Sequence, residues 1–280
     1  EPEIVTLLNN SIVPVRVDTD QHPDLEARYR AGGWPTTSIL LPTGEILFQA
    51  NALTPGEMKE LLHEVIQRYA EDKADLRLQA QILWKKILEP PENQKSEPAI
   101  SRDMVDHAVE FMKNQFDAEH GGFRNAPKFF EPEAISLALA QGLIRKDGEL
   151  THMALHTLDR QQTLVDPVWG GFYRYAEQAD WSEPHYEKML TIQAANLRNY
   201  LEAIQLGNDP SYRTTANSIV NYVWNFLTDH AQAHFWESQD ADLRSHNGAT
   251  LLSGSEFFGL DVEKRATQGH PFIDRRVFTR

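Results

Sequence analysis

A short phrase that joins two glycines to aromatic residues recurs in the second half of the chain, and it constrains the fold more than any other feature. The clear copies are AEHGGFRNAPKF at 118–129 and PVWGGFYRYAEQADW at 167–181, and AQAHFWESQDAD at 231–242 is a weaker third copy. The two Gly pairs lie 49 residues apart, about the length of two helices with their loops. The spacing therefore predicts repeated helical hairpins whose loops line one end of a helical array.

The segments around these phrases carry the apolar periodicity of helices. The first helix has Ser101 as its N-cap, and four more are predicted at 131–144, 149–164, 185–207 and 209–230, the last opened by Asp209 and Pro210. The apolar stripe of the first helix consists of Met104, Val105, Ala108, Phe111, Met112 and Phe116. Because strand signals are nearly absent here, we predict an all-helical part.

The first part of the chain indicates an α/β structure instead. Residues 11–18, SIVPVRVD, alternate like a strand, and PDLEARYR predicts a short helix after it. Two strand-like runs around Pro42-Thr43-Gly44 predict an antiparallel hairpin. Thr54 and Pro55 then open a helix, long or broken, that extends to about residue 87.

This order of elements resembles the second half of a thioredoxin fold. Pro35 in GGWPTT, preceded by Trp34, stands where that fold keeps a cis-proline, and a plain turn is the alternative. LEPPENQKSEPAIS has three prolines and no periodic apolar face, which is typical of a linker. We therefore expect a thioredoxin-like domain at 1–87, a linker at 88–100 and a helical domain at 101–280.

Composition excludes several classes of function. Forty-one acidic residues against 27 Lys and Arg give a formal net charge of −14, which disfavours a nucleic-acid partner. The chain has no cysteine, so we expect no disulfide, no thiolate metal site and no thiol oxidoreductase activity. No apolar run approaches the roughly 18 to 20 residues that cross a bilayer, so no membrane partner is expected. No targeting segment is visible, and the expected location is the cytoplasm.

At this point a family resemblance becomes specific. GGFRNAPKF, DPVWGGFYRYAEQADWSEPHYEKML, SQDAD, VRVDTDQHPDLEARY and GGWPT resemble the spermatogenesis-associated protein 20 family, also described as the YyaL type, over residues 1 to about 242. The resemblance implies a thioredoxin-like domain joined to an (α/α)6 barrel of the six-hairpin glycosidase type, similar to sugar epimerases. The dithiol region is missing, the segment between Tyr29 and Gly32 is short, and the tail after Asp242 is unfamiliar. We therefore expect a barrel truncated to about half of its helices.

The loop between the second Gly pair and the next helix holds the candidate site. On a helix starting near residue 182, His185, Met189, Gln193, Asn196 and Tyr200 recur at intervals of three and four. The candidate acid, base or hydroxyl-binding groups are Asp166, His185, Glu187, Asp240 and Asp242. The candidate substrate-binding residues are Trp169, Phe172, Tyr173, Tyr175, Gln193, Asn196 and Lys128. The alternative is that the aromatic residues pack, the acids cap helices, and Lys128 and Lys188 form solvated salt bridges.

Other chemistries have weaker support. The pairs His152/His156 and His230/His234 have a zinc-compatible spacing but no third ligand nearby, and no serine lies in a G-x-S-x-G context. No cofactor is indicated. We predict a carbohydrate-active protein, an epimerase, isomerase or glycosidase, that takes a sugar or another small polar ligand. The alternative is a non-catalytic module whose thioredoxin-like domain binds a protein partner while the helices form a scaffold.

Overall fold

The structure is a computed structural model, and it describes residues 1–19, 22–33, 35–88, 101–207 and 209–277. The chain divides into two compact units, Glu1–Ala99 and Ile100–Arg280. Each unit is considered by itself.

The first unit consists of helices around one small sheet. Its elements are α1 (Pro2–Ser11), α2 (Pro23–Tyr29), β1 (Thr37–Leu40), β2 (Ile46–Ala50), α3 (Pro55–Glu71) and α4 (Lys73–Leu88). The two strands pair antiparallel, and Gly44, at φ +96°, allows the turn between them. The predicted hairpin around Pro42-Thr43-Gly44 is therefore confirmed.

The long helix after this hairpin is broken into two. Its start is fixed by a capping box, in which the Thr54 hydroxyl accepts from the Glu57 N–H while the Glu57 carboxylate accepts from the Thr54 N–H. The break lies at Asp72, which has non-helical φ and ψ of −141° and 66°. The Asp72 carboxylate accepts the Asp75 N–H at 3.0 Å, which caps the helix that follows.

The strand predicted at residues 11–18 is wrong. Ser11 ends α1, residues 12–18 form no regular secondary structure, and Val13 and Val15 are 85% and 75% exposed. A strand needs a hydrogen-bonded neighbour, and β1 and β2 pair only with each other in the described residues. The predicted cis bond at Trp34-Pro35 lies outside the described residues, because Trp34 is not among them.

The second unit is built from helical hairpins joined by long loops. Its helices are α5 (Arg102–Gln115), α6 (Pro132–Arg145), α7 (Gly148–Gln161), α8 (Leu190–Leu206), α9 (Pro210–Phe226), α10 (Gly254–Phe258) and α11 (Val262–Gln268), with a 3-10 turn at Gln162–Leu164. The pairs α6–α7 and α8–α9 pack side by side, and α6 also packs on α8. The predicted change from α/β structure to helical hairpins is confirmed.

The loops between these helices contain short strands, which the sequence did not indicate. The strands are β3 (Tyr175–Ala176), β4 (Pro184–His185), β5 (Lys188–Met189), β6 (Thr228–Asp229), β7 (His234–Phe235), β8 (Ser238–Gln239), β9 (Leu243–Arg244), β10 (Thr250–Leu252) and β11 (Ile273–Asp274). β3 pairs with β4, β6 with β7 and β9 with β10, and β8 lies between β5 and β11.

These strands correct the helix predicted to start near residue 182. The helix begins at Leu190, because His185 pairs with Tyr175 and Met189 pairs with Ser238. His185 and Met189 therefore do not share a helical face with Gln193.

The stripe predicted on the first helix of this unit is also only partly correct. Met104 and Phe111 are exposed, and the buried face of α5 holds Val109 and Met112.

The core of the second unit lies between α6, α7, α8 and α9. Ile135, Leu150, Leu158 and Ile219 are all fully buried in it. The Tyr200 hydroxyl donates to the Leu158 carbonyl oxygen at 2.7 Å, which ties α8 to α7. No helix in the described ranges has the length and apolar character that crossing a membrane requires.

Candidate functional site

The repeated Gly pair is the same backbone turn in both clear copies. The Asp117 carbonyl oxygen accepts the Gly121 N–H at 2.8 Å, and the Asp166 carbonyl oxygen accepts the Gly170 N–H at 3.0 Å. The four glycines, Gly121, Gly122, Gly170 and Gly171, have φ between 69° and 80°. Glycine is required there because this region is costly for other residues. The repeat is therefore structural, with an aspartate four residues before the first glycine of the pair.

A buried lysine closes each of these turns. Lys128 Nζ donates to Asp117 Oδ2 at 2.8 Å and to the Gly121 carbonyl oxygen at 2.9 Å. Lys188 Nζ donates to Asp166 Oδ2 at 2.6 Å and to the Gly170 carbonyl oxygen at 2.8 Å. Both lysines are at most 1% exposed. Both lysines therefore form salt bridges, but these are buried and not solvated as the sequence suggested.

In the weaker third phrase, the spacing from an aspartate to the residue with positive φ is the same as in the two clear copies. Asp229 precedes Ala233 by four residues, and Ala233 takes the positive φ of 54° that a glycine has in the other copies. The Asp229 carboxylate accepts the Ala231 and Gln232 N–H groups at 2.9 and 3.1 Å. Asp117 and Asp229 were missed in the sequence, although the common spacing from aspartate to turn could have revealed them.

The loops that carry the three phrases meet at one end of the helices. Lys128 and Ala176 exchange backbone hydrogen bonds of 2.8 and 3.0 Å, which join the first loop to the second. The Trp181 indole donates to the His120 carbonyl oxygen at 2.9 Å. The second and third loops join where Lys188 pairs with Gln239. These contacts confirm the prediction that the three loops lie together.

Asp166 belongs to a buried ion cluster. Arg265 Nη1 donates to both Asp166 carboxylate oxygens at 2.9 and 2.8 Å, opposite Lys188, and all three side chains are fully buried. Burial raises the pKa of Asp166, but the Lys188 charge and the hydrogen bonds from Arg265 and Lys188 outweigh it and hold the pKa below its usual value. Burial lowers the pKa of Lys188 to about 8, against the opposing effect of Asp166.

Most of the predicted substrate-binding residues lie in packing positions. Phe172 is fully buried in the core, and Tyr173 packs on Tyr186 and Phe258. Trp169 lies against Phe226, Phe257 and the Arg265 guanidinium. Tyr175 is the remaining predicted aromatic residue, and its side chain is only half-buried.

The predicted amides on α8 are equally enclosed. Gln193 is fully buried, where it accepts the Phe172 N–H at 2.7 Å and donates to the Phe172 carbonyl oxygen at 2.8 Å. Asn196 donates to the Ile192 carbonyl oxygen at 2.9 Å. Gln193 therefore holds the second turn in place, and Asn196 bonds within its own helix.

A partly exposed cluster of aromatic and ionisable groups remains around His185. Its ring stacks on Tyr175 at 4.2 Å between centroids, and Tyr175 stacks in turn on Phe129 at 4.6 Å. His185 Nε2 lies 2.6 Å from Glu177 Oε1, and His185 Nδ1 lies 3.7 Å from Glu187 Oε2. This arrangement joins the first loop, through Phe129, to the second.

Glu187 extends the cluster to the third loop. Lys188 pairs with Gln239 in antiparallel register, so Glu187 and Asp240 are neighbours one step along. Lys188 is buried while Glu187 is about one-third exposed, as expected for alternating faces of a strand. Glu187 Oε2 is itself buried and has no hydrogen-bond partner.

Asp240 carries the carboxyl group of the third loop that lies nearest to Glu187 in the strand register. Burial raises its pKa; Arg244 lowers it, while the charges of Glu187, Asp274 and Asp242 raise it further. Asp242 also has a structural contact, because its carboxylate accepts the Gly254 N–H at 3.0 Å at the start of α10. The structure thus brings His185, Glu187, Asp240 and Asp242 together and places Asp166 in the buried ion cluster.

The remaining candidates lie apart from this cluster. His152 and His156 stack on each other at 5.6 Å, and His234 Nε2 is 3.7 Å from Asp229. The described residues hold no group of three or more His, Cys, Asp or Glu side chains arranged for a metal ion. An open depression of about 500 Å³ lies in the first unit, lined by Pro23, Glu26, Ala27, Arg30 and Gly32. None of these five was predicted as a site residue.

Comparison with known proteins finds a family model and several proteins that are similar to this chain. A family model described as Thioredox_DsbH, a protein of unknown function (DUF255), matches residues 1–88. Spermatogenesis-associated protein 20 from Homo sapiens is 29% identical over 278 residues, covering 91% of this chain and 35% of that protein. The predicted family resemblance and the thioredoxin-like character of the first unit are confirmed. The chain spans about a third of the length of the curated relatives it matches.

Two solved structures resemble part of the chain. Cellobiose 2-epimerase from Spirochaeta thermophila DSM 6192 has a TM-score of 0.43 and 17% identity, covering 51% of this chain and 42% of that one. D-mannose isomerase has a TM-score of 0.43 and 14% identity, covering 64% of this chain and 49% of that one.

The Gly turns generate a first prediction. A Cβ at Gly171 would lie 2.5 Å from the Tyr222 ring, at a φ of +74°, whereas a Cβ at Gly148 meets nothing within 4 Å. We expect Gly171→Ala to lower the midpoint of thermal unfolding by several degrees, since both overlap and strain must be relieved. Gly148→Ala is the matched control and should leave the midpoint nearly unchanged. Equal midpoints for the two variants would contradict the structural role of the turn.

The buried ion cluster generates a second prediction. Asp166→Asn leaves Lys188 and Arg265 buried without a counter-charge, so we expect a loss of about 3–5 kcal/mol in the free energy of unfolding. Lys188→Met should cost less, because Arg265 still neutralises Asp166. Arg198→Met breaks an exposed pair with Glu133 and should cost no more than about 1 kcal/mol. Urea denaturation measures all three, and an Asp166→Asn cost as small as that of Arg198→Met would refute the cluster's role.

Proposed function

We propose that the loop end of the helical unit binds a carbohydrate and performs acid–base chemistry on it. The observation that carries the proposal is the cross-strand placement of Glu187 beside Asp240, with the His185 imidazole 3.7 Å from Glu187. In this proposal the ionisable groups come from the second and third loops, and the first loop contributes the Phe129 ring.

The ionisable groups suit proton transfer. A carboxyl group with a raised pKa, such as Asp240, keeps its proton closer to neutral pH and can donate it. Glu187 lies beside Asp240 and can accept a proton, and His185 Nδ1 is 3.7 Å from Glu187 Oε2. The Glu187 side chain is about one-third exposed, so a ligand hydroxyl can reach its carboxylate. Sugar epimerisation, isomerisation and glycoside hydrolysis each need an acid and a base of this kind.

The aromatic stack suits the other surface of a sugar. Tyr175 and His185 are half-buried and Phe129 is 49% exposed, so their stacked rings are partly open to solvent. Aromatic rings cover the apolar face of a pyranose while nearby polar groups bind its hydroxyls. Tyr175 is stacked on both faces, so Phe129 and His185, at the two ends of the stack, are the rings that can contact a sugar. They replace the larger aromatic platform that the sequence suggested.

The charge of the cluster favours neutral sugars over acidic ones. Glu177 and Glu187 flank His185, and three carboxylates raise the pKa of Asp240 against a single opposing arginine. A ligand carboxylate or phosphate would be repelled in this surrounding. Among sugars of one size, we expect the neutral ones to bind more tightly than the corresponding sugar acids.

A second candidate function rests on the first unit. The exposed Val13 and Val15 lie in a segment without regular secondary structure and offer apolar side chains that a partner's strand can contact. In that case the protein is a thioredoxin-like binding module, and the helical unit serves as a scaffold. Loss of partner capture on Val13→Lys, with no ligand found for the helical unit, would favour this alternative.

A sugar panel tests the main proposal. Neutral mono- and disaccharides and their matched uronic acids are titrated into the intact protein, with binding followed by calorimetry and turnover by product analysis. We expect a neutral sugar to bind, and Glu187→Gln to weaken binding or turnover at least tenfold. Glu119→Gln changes an exposed carboxylate of the first loop and should have no effect. Failure of every sugar, or equal effects of the two variants, would contradict the proposal.

The raised pKa of Asp240 generates a stability prediction with a defined sign. A carboxyl whose folded-state pKa exceeds its unfolded value binds more protons when folded, so its contribution to stability falls as pH rises through that window. Asp240→Asn removes the ionisation, so it should raise the thermal midpoint near pH 7 and have little effect near pH 3. The same variant should lose turnover. A lower midpoint at pH 7 would mean that the Asp240 charge stabilises the fold.

A further inference from the structure

We infer that Arg265 is a positioning residue for the Glu187–Asp240 pair, an inference that rests on the function proposed above. Arg265 lies in α11, in the tail that the sequence left unexplained, and its side chain is fully buried. It contacts neither carboxylate in the hydrogen bonds that the described residues show. It acts instead through two connections that end on the strands carrying them.

The first connection runs through the buried ions. Arg265 Nη1 donates to both carboxylate oxygens of Asp166, and Lys188 Nζ donates to Asp166 Oδ2 at 2.6 Å. Lys188 is the residue next to Glu187 in sequence. Glu187 directly precedes β5, so holding Lys188 in its buried position limits where the adjoining Glu187 side chain can lie.

The second connection runs along the backbone. The segment after α11 reaches β11, where Ile273 pairs with Gln239. The Phe272 carbonyl oxygen accepts the Asp240 N–H at 2.8 Å. Arg265 fixes the helix from which this segment leaves, because Nε donates to the Leu260 carbonyl oxygen at 3.1 Å and Nη2 donates to that of Phe258, both just before α11. The tail thus holds β8 from one side while the ion cluster holds β5 from the other.

Lys128 provides a matched control. It is a buried cation that closes the equivalent turn of the first repeat, on Asp117, and within the described residues its side chain makes no hydrogen bond to β5 or β8. Lys128→Met and Arg265→Met therefore both remove a buried cation from a Gly turn. Only Arg265→Met removes the anchor of the strands that carry Glu187 and Asp240.

The readout is the pKa of the Asp240 carboxyl, measured by carbon-13 NMR of aspartate-labelled protein and assigned by comparison with Asp240→Asn. The charged groups that act on Asp240 are Arg244, Glu187, Asp274 and Asp242. In Arg265→Met we expect its pKa to fall, because Asp240 becomes more solvated and moves away from Glu187. In Lys128→Met we expect an unchanged pKa, although both variants should have lower thermal midpoints.

Three results would overturn the inference. An unchanged Asp240 pKa in Arg265→Met would make Arg265 a structural brace only, and equal shifts in both variants would indicate general loosening. A rise in pKa would show that Arg265 acts as a distant charge. If Arg265→Met does not fold, Arg265→Lys is measured, with a smaller fall expected and an unchanged pKa counting against the inference. Because this readout needs no ligand, failure of the sugar panel leaves it standing and removes only the proposed function.

Discussion

The buried contact of Asp166 with Lys188 and Arg265 is the interaction on which the loop end of the helical unit depends. An isolated buried charge is expensive, so each of these groups requires the others. Asp166 comes from the second Gly turn, Lys188 from the strand before α8 and Arg265 from the tail. One carboxylate thus joins three segments that are distant in sequence. The cations also face Tyr222, Trp169 and Phe258, whose rings fill the remaining space around them.

Buried residues of the short sheet hold the loops together, whereas the residues next to them in sequence carry the proposed chemistry. Lys188 and Gln239 belong to the buried face of the short sheet, and Glu187 and Asp240 follow them on the adjoining positions. The strands are only two residues long, so they contribute few ladder hydrogen bonds of their own. The buried residues therefore determine where the partly buried carboxylates of Glu187 and Asp240 lie. Aromatic contacts between Tyr186 and Phe258 support the same region from the tail.

Local patterns predicted the parts of the fold that local physics decides. Thr54 with Pro55 and Asp209 with Pro210 mark helix starts because their side chains and ring geometry act within one turn, and the Gly pairs mark turns that require positive φ. Long-range pairing was not visible in the same way. His185 has helical spacing to Gln193, yet it pairs with Tyr175, a contact that depends on the whole loop. Asp166 resembled a candidate acid because its partner Arg265 lies 99 residues away.

The central claim is that Glu187 and Asp240 form one coupled acid–base pair at the junction of the loops. The most direct measurement compares the pKa of Asp240 in the unmodified protein and in Glu187→Gln, by carbon-13 NMR titration. Burial raises the Asp240 pKa and the Glu187 charge raises it further, so we expect a pKa above the ordinary aspartate value in the unmodified protein and a lower pKa in the variant. An ordinary Asp240 pKa that Glu187→Gln leaves unchanged would show that the two carboxylates are independent, and the account of the site would be wrong.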